Sequence, residues 1–215
     1  MNKVVIFDLD GTVIDSIEDI ADAMNSMLVH YGFEKISIDE MKSALGGSSM
    51  DIVRCSIKKE IPNQLLVQCH DFYQHEYMSG GSPKTKPFKG IEKVITILKE
   101  RGYKISALSN KPDTEIAIIF DRLLKPLGFD SVMGLSDKVE PKPNPSGALK
   151  ILENFDANPE TSYLVGDGET DVLTAINAKI NSIGVLWGNR DKEFLSRYGA
   201  KVFAYTPEDL LELIK

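Results

Sequence analysis

The residues of this 215-residue chain whose types and spacing could do chemistry fall at four separated points. They are Asp8 and Asp10, Ser109 and Asn110, Lys142, and Asp167 with Asp171. Asp8 and Asp10 stand two residues apart, directly after the apolar run VVIF. Carboxylates so close repel each other and resist desolvation, and a bound cation offsets that cost. Mg²⁺ suits a site of a few carboxylates plus substrate phosphate oxygens. The same residues would also serve a solvated acidic turn, with Gly11 and Thr12 supplying turn chemistry. The pair alone does not choose between the two.

What the rest of the chain lacks narrows the choice. His30, His70 and His75 are the only histidines, and all lie between Ser16 and Ser79. Outside that stretch no Ser-His or Cys-His nucleophile pair can form. No G-x-x-x-x-G-K-[ST] loop is present. GDGETD at Gly166–Asp171 begins like a dinucleotide fingerprint but offers Asp171 where the final glycine belongs. An aspartate nucleophile remains, able to form an acyl phosphate, with a metal and a lysine to neutralise phosphoryl oxygens.

Such groups must be positioned by the elements that precede them. Val4 to Phe7 is short, continuous and rich in β-branched residues, the pattern of a strand buried on both faces. Tyr103–Leu108 is expected as a strand ending in Ser109–Asn110, and Ser162–Val165 as one ending in GDGETD. Weaker strand patterns occur at Ser131–Leu135, Ile183–Leu186 and Lys201–Ala204. Helical patterns separate them, at Gly90–Arg101, from Pro112 to about Leu124, and from KPNP (Lys142–Pro145) through Phe155. This alternation predicts a parallel sheet with helices on both faces, where ligands gather at the carboxyl ends of strands.

Residues 16–79 break the alternation. Apolar positions recur at helical spacing from Ile17 to Tyr31. Asp39 is expected to cap a second helix, Ser48 or Ser49 a third, and Asn63 a fourth. Gly80 to Pro83 is the most obvious linker. The expected organisation is an α/β core of residues 1–15 and 84–215, a helical insertion over 16–79, and a linker at 80–83. The linker and the stretch near Asp15 are expected to act as hinges.

Lys and Arg number 25 against 32 Asp and Glu, a net charge of −7, with no basic cluster, so no nucleic-acid partner is expected. No apolar run approaches the roughly 20 residues that a membrane helix needs. The amino terminus has no signal-peptide layout, and a cytoplasmic location is expected. Cys55 and Cys69 are expected as free thiols packing like small hydrophobes. Their spacing to His70 and His75 matches no zinc finger.

The four points, in order, resemble the motifs of the haloacid dehalogenase superfamily of phosphotransferases. DLDGT at Asp8–Thr12 is similar to the first motif, Ser109 to the second, Lys142 to the third and GDGETD to the fourth. DGTVIDS and SNKP resemble the phosphoglycolate phosphatase subgroup. The resemblance covers the whole chain. It implies a Rossmann-like core with an inserted α-helical cap, and a Mg²⁺-dependent phosphatase of small phosphorylated metabolites. In that reading Asp8 is the nucleophile and Asp10 the general acid/base. Asp8, the Asp10 main-chain carbonyl and Asp167 bind Mg²⁺, and Asp171 supports the metal or orients Lys142. Ser109, Asn110 and Thr12 hold the phosphoryl group, and Lys142 neutralises it. Gly168 departs from the pattern, since relatives often carry a hydroxyl there. An inorganic pyrophosphatase or a phosphosugar mutase is the nearest alternative, and a non-catalytic binding protein is disfavoured by the intact aspartates. In the cap, LGGSS at Leu45–Ser49 could offer Ser48 and main-chain N–H groups to an anionic substrate, with Arg54 beyond it.

Overall fold

Val5 and Phe7 of β1 (Lys3–Phe7) pack against Ile91, Val94, Ile95 and Leu98 of α5 (Ile91–Glu100). Val4 and Ile6, on the other face of the same strand, pack with Ala148 and Ile151 of α7 (Ser146–Asn154) and Ala175 of α8 (Glu169–Ala178). Successive side chains of a strand point to opposite faces. A strand apolar at every position is therefore one covered by helices on both sides. The computed structural model, which describes residues 2–215, thus places β1 in the middle of a three-layer α/β/α core.

Around it are β4 (Tyr103–Pro112), β5 (Ser131–Leu135), β6 (Tyr163–Gly166), β7 (Asn181–Val185) and β8 (Phe203–Ala204), in the order β5-β4-β1-β6-β7-β8. All neighbours are parallel. From β1 the chain builds outward through β4 on one side and through β6 on the other. The order of the strands therefore switches beside β1, the place where such sheets open a crevice at their carboxyl ends. Among the described residues no helix is long and apolar enough to cross a membrane.

The chain divides into two compact units, residues up to Ile14 with Pro87–Lys215, and Asp15–Lys86. Two short strands, β2 (Ile14–Asp15) and β3 (Lys86–Pro87), pair where the chain crosses between them. The second unit holds α1 (Ile17–His30), α2 (Ile38–Ala44), α3 (Ser49–Ile57) and α4 (Asn63–Ser79). They close on their own core, in which Met24, Met27, Leu28, Met41, Val53 and Cys69 are fully buried.

Several local expectations change. Ser37, not Asp39, caps α2, because Glu40 at the third helical position returns a hydrogen bond to the Ser37 main chain. Pro62 rather than Asn63 precedes the first turn of α4. Cys55 is exposed, whereas Cys69 packs in the core as expected. Gly80–Pro83 lies inside the second unit. The next two residues are clasped by the buried Asp19, whose carboxylate accepts from the Thr85 N–H (2.6 Å), the Thr85 hydroxyl (2.6 Å) and the Lys84 N–H (3.1 Å). In the first unit β4 stays extended through Ser109 and Asn110 to Pro112, and its pairing with β5 is interrupted between Leu108 and Pro112. Pro112 is the residue before α6 (Asp113–Ile119), whose last turn widens into a π-helical turn over Phe120–Leu124.

Candidate active site

The crevice is lined by the ends of three adjacent strands, all within the α/β unit. Past β1 the chain folds back on itself, and the Leu9 carbonyl accepts from the N–H groups of Val13 (2.9 Å) and Ile14 (3.0 Å). The Asp8 N–H donates to the Val165 carbonyl at 2.8 Å, fastening the turn to β6. Gly11 sits in this turn at φ +84°, and a Cβ there would lie 2.3 Å from Asp167 Oδ2. Only glycine allows both the conformation and the approach. At the end of β6 a Cβ on Gly166 would lie 2.3 Å from Asp171 Cγ, so a bare main chain lets Asp171 lean across the strand end.

Lys142 is the hub. Its Nζ donates to Asp8 Oδ1 at 2.6 Å and to Asp171 Oδ1 at 2.5 Å, and all three side chains are nearly removed from solvent. Asp171, in the first turn of α8, accepts from the Gly168 N–H with its second oxygen at 3.0 Å. Lys142 is itself held by Asn110, whose amide accepts from the Lys142 N–H (2.7 Å) and donates to the Lys142 carbonyl (3.2 Å). Asp167 Oδ2 accepts from both the main-chain N–H (2.7 Å) and the side-chain amide (2.9 Å) of Asn189. Thr12 Oγ1 donates to the other oxygen at 3.5 Å, and Trp187 Nε1 donates to the Thr12 carbonyl at 3.0 Å.

These contacts set the electrostatics. Burial pushes Asp8 well above the usual carboxylate range, and the charge of Asp171 pushes it further, against the opposing pull of Lys142. Asp167 is pushed up to about 7, again by burial first and then by Asp171. Burial alone would lower Lys142, but Asp171 and Asp8 outweigh it and hold the ammonium above its ordinary value. Asp8, Asp167 and Asp171 each offer an oxygen within 4.8 Å of the others. When all three ionise, three carboxylates against one ammonium carry two net negative charges in a desolvated space, a charge that a divalent cation would balance. The donor set is all oxygen, as a hard cation requires.

Asp10 stands outside that group of three. Its carboxylate pairs with Lys111 Nζ at 3.1 Å. Ser109 is buried, and its Oγ accepts from the Lys111 N–H at 3.2 Å. The Asn110 side-chain amide is engaged with the Lys142 main chain through its oxygen and one N–H, and its second N–H is not used by those two bonds. Ser48 belongs to the other unit. There its hydroxyl donates to Asp51 Oδ2 at 2.6 Å and accepts from the Asp51 N–H at 3.3 Å, a capping box for α3. The exposed Arg54 pairs with the same Asp51 at 3.2 Å. Lys111 and Asn189 are the site residues that sequence reasoning misses. Lys111 had a signal, since it lies two positions beyond Ser109 in an extended strand and so on the same face. Asn189 had only its place just past β7, at the carboxyl edge of the sheet.

Comparison with known proteins agrees with this geometry. Residues 5–185 match the model of the haloacid dehalogenase-like hydrolases. A phosphoglycolate phosphatase of Aquifex aeolicus is 32% identical over 186 residues, covering 86% of this chain and 85% of that protein. Pyrophosphatase PpaX of Bacillus mycoides is 25% identical over 98% of this chain and 95% of its own length. The crystal structure of a protein from Lactobacillus delbrueckii superposes with a TM-score of 0.91 at 25% identity, covering 100% of this chain and 99% of that one. The chain belongs to the haloacid dehalogenase-like hydrolase family, and within it to the phosphoglycolate phosphatase-like group.

Proposed function

We propose that this chain is a Mg²⁺-dependent phosphatase that hydrolyses a small phosphorylated metabolite of the phosphoglycolate type through an aspartyl phosphate on Asp8. The observation that carries the reading is the buried contact of one lysine, Lys142, with both Asp8 and Asp171 beside a third carboxylate. Asp8, Asp167 and Asp171, with the Asp10 main-chain carbonyl, would hold the ion. Bound Mg²⁺ supplies positive charge that keeps these aspartates ionised and draws electron density from the phosphoryl oxygens.

The chain's own groups do the rest. An Asp8 carboxylate oxygen bonds to phosphorus as the bond from phosphorus to the alcohol oxygen breaks, and Asp10 gives that oxygen its proton. Asp10, now a carboxylate, takes a proton from water as the water attacks the acyl phosphate, releasing inorganic phosphate and regenerating Asp8. Lys142, Ser109 and Thr12 would meet the phosphoryl oxygens, with Asn110 keeping Lys142 in place. Substrate choice is assigned to the helical unit, because every acid–base group named here lies outside it.

A pyrophosphatase activity is the second reading, favoured by the full-length likeness to a pyrophosphatase. One experiment separates the two. Purified protein with Mg²⁺ is assayed against 2-phosphoglycolate, other small phosphomonoesters and inorganic pyrophosphate. The proposal expects kcat/KM for a phosphomonoester to exceed that for pyrophosphate by at least tenfold, and a reversed ranking would replace it.

A further inference from the structure

The crevice holds four aspartates and two lysines, and the lysines divide the work unequally. Lys142 sits among Asp8 and Asp171, next to Asp167. Lys111 takes the fourth carboxylate, Asp10, with Nζ 3.1 Å from Oδ2 and both side chains mostly buried. Asp10 is correspondingly absent from the cluster whose oxygens lie within 4.8 Å of one another. A carboxylate two residues from Asp8 would be drawn toward any cation bound by its neighbours, where it could serve only as a ligand. A competing ammonium on the adjacent strand holds it apart.

Lys111 itself is well fixed. It lies on the extended end of β4, next to β1 in the sheet, and its N–H donates to the buried Ser109 Oγ. Its carbonyl lies so close to β5 that a Cβ on Gly134 would be 2.6 Å from it, so the main chain at Lys111 has little room to move. The main chain at Lys111 therefore fixes where its side chain starts, and the ion pair with Asp10 fixes where it ends.

We propose that Lys111 is a positioning residue for Asp10. It keeps the Asp10 carboxyl out of the metal-binding cluster and turned to the proton transfers at the leaving-group oxygen and at the attacking water. This rests on the reading of Asp10 as the general acid/base. In the first transfer the P–O bond to the alcohol breaks, and the Asp10 proton goes to the departing oxygen. The carboxylate so formed is received by Lys111, which never touches the reacting atoms.

The test exploits the leaving group. A poor leaving group such as the glycolate of 2-phosphoglycolate needs a proton as the bond breaks, whereas 2,4-dinitrophenolate leaves without one. Cleavage is followed in single turnovers of the Mg²⁺-loaded enzyme, so that P–O breakage is read apart from phosphate release. Lys111→Met is expected to slow cleavage of 2-phosphoglycolate by 10- to 100-fold and of 2,4-dinitrophenyl phosphate by less than threefold. Lys111→Arg is expected to recover most of the loss. Asp10→Asn run alongside should show the same bias more strongly. Where Lys111→Met does not fold, Lys111→Gln carries the measurement.

If Asp10→Asn shows the bias and Lys111→Met does not, the positioning role is overturned while the acid/base reading stands. If Asp10→Asn shows none, the acid/base reading fails and the positioning role fails with it. An equal loss on both substrates, with a raised KM, would make Lys111 a substrate-binding residue instead and would also overturn the proposal.

Discussion

The two units use the same polar residue types in opposite ways. At the candidate site of the α/β unit the pairs are buried and span long stretches of chain. Lys142 reaches Asp8 across 134 positions and Asp171 across 29, and Asn189 reaches Asp167 across 22. Many polar contacts of the helical unit are local and exposed, as with Ser37 and Glu40, Ser48 and Asp51, and Arg54 and Asp51. Local pairs in water stabilise a helix end by a modest amount and can be exchanged freely. Buried like charges gathered from distant strands cost stability, and a fold keeps them only where something else is gained. On the proposed reading, the contrast separates the carboxylates gathered for chemistry from a single buried carboxylate such as Asp19, which holds the fold.

The sharpest way to test that separation is Asp8→Asn, which keeps the shape of the side chain and removes the attacking charge. Turnover is expected to fall by several orders of magnitude. Thermal stability of the metal-free protein should not fall, since the substitution removes one buried charge from beside Asp167 and Asp171. Activity and melting temperature measured on the same preparation check both halves. A variant that is folded and still active would remove Asp8 from the centre of the reaction.

Metal removal comes next in size, and its pH dependence has a definite sign. Asp8 and Asp167 are raised in the folded protein, Asp167 to about 7, above the roughly 3.9 of an unfolded aspartate. Groups raised in this way contribute stability that is fully present below about pH 4 and is lost as the pH climbs through 7. The chelated protein should therefore melt at progressively lower temperature between pH 5 and pH 8. Mg²⁺ at 100 times its dissociation constant would add about 2.7 kcal/mol. The gain from a fixed Mg²⁺ concentration should be larger at pH 8 than at pH 5, because protons compete for the same oxygens. A gain independent of pH would mean that the ion binds away from Asp8 and Asp167.

Much of this arrangement is legible in the order of residues. A short unbroken run such as VVIF, rich in β-branched residues and ended by Asp and Gly, reads as a strand covered on both faces, and the residues directly after that run fall at a carboxyl end. The α/β alternation and the inserted helices come from short continuous apolar runs and from a period of 3.6 in the apolar positions between them. Side-chain partners across strands are less visible. Sequence motifs place Asp10 and Asn110 near the phosphoryl site. They do not disclose that Asp10 turns to Lys111 or that both ends of the Asn110 amide are engaged with the Lys142 main chain. Asn189 is hidden for a related reason, since an asparagine after Gly188 reads as turn chemistry until Asp167 is placed beside it. The caps of the helical unit were readable but ambiguous. Ser37 and Asp39 both suit a helix start, and Glu40 decides between them by standing three residues after the serine.

The smallest expected effect falls on the other side of the comparison, at Ser48. The LGGSS loop has the composition of an anion-binding turn, and from composition alone Ser48→Ala should raise KM for the preferred substrate. In the folded chain the Ser48 hydroxyl and N–H both meet the Asp51 carboxylate, 2.6 Å and 3.1 Å from Oδ2. A carboxylate already on the loop repels a second anion, and the hydroxyl proton is engaged. Ser48→Ala should therefore cost about 1 kcal/mol of stability, the usual loss for an N-cap. KM should change by the same small factor for 2-phosphoglycolate and for an aryl phosphate. Asp51→Asn sharpens the result, because it keeps a side-chain acceptor and removes the charge. If the loop does meet substrate, that variant should lower KM for 2-phosphoglycolate while leaving the aryl phosphate unchanged. If α3 is merely capped, the two substrates should respond alike to both variants, as the local bonding of Ser48 leads us to expect.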